Sequence, residues 1–225
     1  MDAALLHAWT HVVGGSVADA DLDLAACALL IAELERPGLP ADDYLRRLDQ
    51  LARGVGERSV DAAARYLFVD HGFRGNADDY YDPRNSCLDQ VIDRRLGIPI
   101  TLSVVFLEVG WRLGLDVAGI GFPGHFLVRA REGGAERVLD PFRGGVTLDE
   151  EAQGLLLAQA LGPRAVLAPQ HVRPVGKREI LARMLNNLRG IYLHGGRTDR
   201  VAEVRALLTV LHPSPPAPGA QGAPN

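Results

Sequence analysis

In the stretch "PITLSVVFLEVGWRLG" nearly every position from Ile100 to Leu113 is apolar. Pro99 suits the first turn of a helix, where its missing N–H costs nothing, and Gly114 supplies a stop. A helix that is apolar on almost all sides has no face to offer water, so the rest of the chain must wrap around it. With 225 residues there is material enough to do so, because single cores usually serve about 100 to 200 residues.

The wrapping elements are legible on both sides. The segments "DLDLAACALLIAELERP" and "PADDYLRRLDQLARGV" repeat apolar residues at three- and four-residue spacing and are separated by Pro37, Gly38 and Pro40, which predicts an antiparallel helical pair. A further helix covers "SVDAAARYLFVDHGF", followed by the polar, aromatic loop "RGNADDYYDPRN". In "NSCLDQVIDRRLG", Ser86 is the expected N-cap, Asp89 the acidic partner of a capping box, and Gly97 the stop. After Gly114 the pattern changes to short strands, "DVAGIGF", "HFLVRA" and "ERVLDPF", broken by Gly133 and Gly134. These predict an antiparallel sheet packed on the central helix, and hence an α+β fold. Helix returns with "LDEEAQGLLLAQALG", and "KREILARMLNNLRGIYLHGG" with "RTDRVAEVRALLTVLHP" makes a helical hairpin similar to a single tetratricopeptide-like unit. The expected divisions are an N-terminal helical region over residues 1–60, a core over 61–165, the C-terminal pair over 175–213 and a disordered tail over 214–225, within "HPSPPAPGAQGAPN".

A net charge of −4 without a basic run offers nothing for nucleic acid or an anionic membrane. No stretch approaches the roughly 20 apolar residues of a spanning helix, and "MDAALLHAWTHVVGG" lacks the basic head of a signal peptide, so a cytoplasmic location is expected. Cys27 and Cys87 are the only cysteines, too few for a disulfide framework or a thiolate zinc site. The seven histidines are scattered; His7 and His11 have helical spacing but no third ligand close in sequence. The segments "GGVTLDEE" and "GVGERS" lack the lysine of a phosphate loop. Neither metal nor cofactor is expected.

Chemistry concentrates in "GFPGHFLVRAREGGAERVLDP", residues 121–141. A hairpin turning near Glu132 and Gly133 sets His125 opposite Asp140, with Cβ atoms about 5 Å apart, close enough for a carboxylate to fix the imidazole tautomer. The alternative is a strand-end histidine beside an aspartate that only caps the Asp-Pro turn. Glycines next to His125 permit close approach of a ligand, which makes Gly124 and Phe126 candidate binding residues. Tyr80 and Tyr81 offer a recognition surface or simply pin their loop. Asp82 and Pro83 read as a turn, and Asn85 is open to either a binding or a capping role.

The run "YYDPRNSCLDQVIDRRLGIPITLSVVFLEVGWRLGLDVAGIGFPGHFLVR", together with "LDPFRGG", resembles the bacterial SirB family of transglutaminase-like proteins, and the likeness extends over about residues 20–213. The resemblance implies a papain-like core in which a cysteine at the start of the central helix attacks an acyl group, a histidine takes its proton, and an aspartate orients the histidine. His125 and Asp140 correspond to the last two. The cysteine should fall between Pro99 and Leu102, where this chain has "PITL". Thr101 and Ser103 are hydroxyls that need strong activation and also suit the start of a helix. Cys87, in the first turn of a helix, has the better nucleophile, and its alternative role is a small filler beneath the tyrosine loop. Two functions follow. One is a regulatory scaffold that binds a protein or peptide without a nucleophile, with the C-terminal pair as a second docking surface; the other is a protease-like hydrolase or acyltransferase using Cys87, His125 and Asp140. They part on whether the thiol lies within about 4 Å of an imidazole nitrogen.

Overall fold

The computed structural model describes residues 2–14 and 17–212, so the tail expected to be disordered, 214–225, lies outside the described residues. In chain order the elements are α1 (Ala3–Val13), α2 (Leu24–Ala32), α3 (Ala41–Gly54), α4 (Val60–Ala64), β1 (Arg74–Gly75), α5 (Leu88–Arg94), β2 (Leu96–Gly97), α6 (Pro99–Arg112), β3 (Asp116–Ile120), β4 (Leu127–Glu132), β5 (Ala135–Asp140), β6 (Val146–Leu148), α7 (Glu150–Leu161), α8 (Lys177–His194) and α9 (Thr198–Leu211). The chain is α+β, as the sequence predicts, and among the described residues no helix is long and apolar enough to cross a membrane.

α6 is the hub. Every residue from Pro99 to Gly110 is buried, and α2, α3, α4, α5, α8, β3 and β4 all pack against it. Burying one such Leu, Val or Phe is worth about 1.5–3 kcal/mol, so this single helix anchors the wrap. Gly110 lets β3 approach, since a Cβ there would lie 2.8 Å from Cγ2 of Val117. The one charged residue among the buried positions, Glu108, is paired with Arg112 one turn on.

The sheet runs β3-β4-β5-β6, antiparallel throughout. Its alternation separates two apolar faces. Val128, Ala130 and Leu139 join the main core with α6, while Leu127, Val138 and Leu148 point the other way, onto Leu156 and Leu157 of α7. The main core also takes in Trp9 of α1, Leu29 of α2, Leu188 of α8 and Leu207 of α9. The indole of Trp9 donates to the Leu207 carbonyl at 3.0 Å, tying α1 to α9.

The start of α5 differs from the capping-box expectation. Asp82 accepts from the Arg84 N–H at 2.9 Å and opens a short 3₁₀ turn, Pro83–Ser86, so Ser86 is inside that turn. Cys87 is the N-cap and makes no side-chain cap bond. Asp89 is buried against Arg36 at 3.5 Å instead of reaching back. At the other end, Arg95 in the left-handed region (φ +60°), not Gly97, terminates the helix. Gly97 pairs with Gly75 in the short parallel ladder of β1 and β2.

Candidate functional site

The β4–β5 hairpin turns on Gly133 and Gly134, whose φ values of +58° and +84° suit a two-residue turn that few other residues tolerate. The turn sits one residue later than predicted, so the β4–β5 ladder starts with Val128 opposite Leu139. His125 therefore precedes the ladder, at the end of a turn in which its N–H donates to the Phe122 carbonyl at 3.1 Å and Gly124 has φ +66°. The imidazole still reaches its partner: Nε2 lies 2.9 Å from Oδ1 of Asp140.

Asp140 is fully buried. Its Oδ1 also accepts from the backbone N–H groups of Phe142 (3.0 Å) and Arg143 (3.3 Å). The other oxygen, Oδ2, makes no hydrogen bond and has Arg143 Nε at 3.6 Å. An acceptor so placed requires a hydrogen on Nε2, and in the neutral ring that tautomer leaves the lone pair on Nδ1. Nδ1 has no hydrogen-bond partner among the described residues. The Phe142 ring stands edge-on to the imidazole at 6.0 Å and to Tyr80 at 6.2 Å, bracing both.

His125 opens on a cavity of about 250 Å³. Gly124 and Phe126 flank it on one side, Tyr80 closes one edge, and Pro99 with Ile100 present the first turn of α6. The remaining wall comes from α8: Arg183, Asn186 and Asn187. Arg183 is occupied, donating to the carbonyls of Gly121 (2.8 Å), His125 (3.2 Å) and Phe122 (3.3 Å), and burial holds its guanidinium below the usual range. It staples the histidine turn to α8. The carboxamides of Asn186 and Asn187 are exposed and make no hydrogen bond among the described residues.

The other sequence-predicted residues fall elsewhere. Asn85 is fully buried, its Oδ1 accepting from Asn76 Nδ2 (3.0 Å) and its Nδ2 donating to the carbonyls of Asp79 (2.7 Å) and Tyr80 (3.3 Å). It holds the tyrosine loop and offers nothing to a ligand. Tyr80 lines the cavity, whereas Tyr81 turns outward and stacks on His194 at 5.5 Å. Thr101 donates to the Asn85 carbonyl at 2.7 Å and accepts from the Ile98 N–H at 3.2 Å; Ser103 donates back to Pro99 at 2.8 Å. Both hydroxyls serve the backbone. Cys87 is buried, is not among the residues lining the cavity, and donates from Sγ to the Pro83 carbonyl at 3.5 Å. Burial, then the carboxylates of Asp89, Glu35 and Asp82, push its thiol well above the usual range. Cys27, also buried, is pushed up to about 12, chiefly by burial. Among the described residues no group of three or more potential ligands could hold a metal.

Sequence reasoning missed Phe142, which directly follows the Asp-Pro pair, and the α8 wall. Arg183, Asn186 and Asn187 carry the i, i+3, i+4 spacing of one helix face, the signal that marks them as acting together.

Comparison with known proteins agrees with this architecture. The model of the transglutaminase-like superfamily matches residues 42–186. A UPF0162 protein of Xylella fastidiosa (strain Temecula1) is 40% identical over 230 residues, covering 96% of this chain and 80% of the relative. A UPF0162 protein of Pseudomonas aeruginosa is 30% identical over 200 residues, covering 85% and 72%. Human F-box only protein 21 is 34% identical over 134 residues, 57% of this chain but 21% of that protein. No solved structure matches the chain. With a buried central helix, a small antiparallel sheet and a family match across most of its length, the chain belongs to the transglutaminase-like superfamily, among the UPF0162 proteins.

Proposed function

We propose that this protein is a SirB-type, non-catalytic scaffold that keeps the His125–Asp140 pair and uses the cavity beside it to hold an extended protein or peptide segment in the cytoplasm. One observation carries the reading: the imidazole is oriented, with Nδ1 free, but the helix start opposite it presents Pro99 and Ile100. A triad without its nucleophile forfeits most of its rate while its binding surface persists. What the site retains suits a peptide main chain. His125 Nδ1 accepts an N–H, and the carboxamides of Asn186 and Asn187 both donate and accept. Human F-box only protein 21 carries its similar region as a fifth of a longer chain, consistent with a module that serves in assemblies. In this reading α8 and α9, taken as one tetratricopeptide-like unit, supply a wall of the groove as well as a docking face of their own.

The rival, an acyl-transfer enzyme built on Cys87, is disfavoured by the burial of that thiol, its bond to Pro83 and its raised pKa. Alkylation by iodoacetamide from about pH 5 to pH 9 separates the two, because only a thiolate reacts. Cys87 should stay unmodified at pH 6 and react no differently in His125→Ala. A thiol that reacts at pH 6 and slows when His125 is removed would overturn the scaffold reading. So would a peptide display on the intact protein that yields no binder sensitive to Tyr80→Ala or Asn186→Ala.

A further inference from the structure

A second cavity of about 250 Å³ lies between α3 and the turn that joins α5 to β2. Two irregular pieces of backbone meet there. Arg65–Asp70 continues α4 as a π-helical turn, closed by the His71 N–H donating to the Tyr66 carbonyl at 2.9 Å; such turns cost regular hydrogen bonding and cluster at functional sites. Arg95, with φ +60°, is the only non-glycine residue in the left-handed region among the described residues. Its backbone is held on both sides, donating to the Val91 carbonyl at 2.8 Å and accepting from the Arg74 N–H at 2.9 Å. The held backbone therefore fixes where the Arg95 side chain leaves the chain, and Arg95, exposed to solvent, is one of the residues that line the cavity.

The lining divides by chemistry. Tyr66 and His71 form an aromatic wall, their centroids 4.2 Å apart, over an apolar floor that includes Phe73 and Ile92. The polar rim holds Arg47, Gln50 and Arg95. Arg47 is already paired with Asp93, which also accepts from the Tyr44 hydroxyl at 2.8 Å. That carboxylate is spent. The Arg95 guanidinium and the Gln50 carboxamide have neither an ion pair nor a side-chain hydrogen bond among the described residues, so the rim carries an uncompensated fork of donors beside a ring-shaped surface.

We propose that this cavity is a second binding site, separate from the His125 groove, for a small oxyanion carried on an aromatic ring. The guanidinium of Arg95 grips two oxygens of a phosphate or carboxylate, the geometry its fork matches best, with Gln50 as a further donor. The ring lies on Tyr66 and His71.

The test is a titration of the full chain followed by NMR signals of His71 and Tyr66, with phenyl phosphate, benzoate and inorganic phosphate as probes. Phenyl phosphate or benzoate should shift both residues at millimolar concentration and leave His125 unmoved; which of the two binds tighter identifies the natural oxyanion. Inorganic phosphate should bind at least tenfold more weakly. Arg95→Gly removes the fork and relieves the left-handed conformation, so it should weaken binding at least tenfold without lowering the unfolding midpoint. The proposal is overturned by no shift at His71 or Tyr66 with any probe, by equal affinity in Arg95→Gly, or by inorganic phosphate binding as tightly as phenyl phosphate. Movement of His125 in place of His71 overturns it too, since the ligand would then occupy the first groove.

Discussion

Replacing Asn85 by alanine tests whether this buried amide positions the groove. Its side chain makes three good hydrogen bonds, with Asn76, Asp79 and Tyr80, and a marginal fourth from Arg94 at 3.5 Å. A hydrogen bond contributes about 1 kcal/mol net, and a buried group left without its partner costs about 1–3 kcal/mol. The Asp79 and Tyr80 carbonyls regain water when the loop lifts; the carboxamide of Asn76, itself buried, loses the acceptor of its Nδ2. The sum is a loss of about 2–4 kcal/mol, a drop in Tm of roughly 5–15 °C for a chain of this size. Urea denaturation should show a lower midpoint with an unchanged slope, and NMR should show the Tyr80 ring leaving its place beside Phe142. Asn85→Asp sharpens the test. It sets a carboxylate against the two loop carbonyls, so its folded pKa should rise above the roughly 3.9 of an unfolded aspartate. The protonated form is then favoured in the fold, and the deficit of this variant should shrink as pH falls through the folded value. A loss below about 0.5 kcal/mol in Asn85→Ala, or a full loss with the Tyr80 ring unmoved, would refute the positioning role.

Two further substitutions probe the support of the site and the central helix. At Gly75 an added Cβ would lie 2.5 Å from the Phe142 ring, so Gly75→Ala should cost about 1–3 kcal/mol as overpacking and shift the His125 ring signals through Phe142; unchanged signals would show that Phe142 does not brace the imidazole. Burial raises the Glu108 carboxyl above its usual value despite the Arg112 pair. The fold therefore holds that proton more tightly than the unfolded chain, and stability falls as pH rises from the unfolded value of about 4.3 through the folded one. Glu108→Gln should flatten that part of the stability profile, read as urea midpoints against pH, and Arg112 should keep its 2.7 Å bond to Asp49.

What could be read from the residues, and what could not, divides by the range of the interactions involved. Burial on all sides is written into α6 as an unbroken apolar run, so the hub was legible. The His125–Asp140 pair was legible because a hairpin maps sequence separation onto space, and a turn one residue from its predicted place left the contact intact. The start of α5 departs from its local pattern because Asp82 and Ser86 are both good cap residues. What decides between them is distant: Arg36 draws Asp89 inward, and Asp82 takes the cap of its own short turn. Arg95 gave no sign of its left-handed backbone, since arginine has no chemistry that marks it. The α8 wall was hidden for a related reason: Arg183, Asn186 and Asn187 reach His125 only through tertiary packing, across nearly 60 residues of chain. The same limit governed Cys87. Its place at a helix start argued for a reactive thiolate, a conclusion that holds only where solvent or a cation reaches the sulfur. Here the surroundings are apolar burial and three carboxylates, all of which oppose ionisation. Local pattern thus located one part of the candidate site, the His125–Asp140 pair, and the part that decides between catalysis and binding depends on contacts no local pattern records.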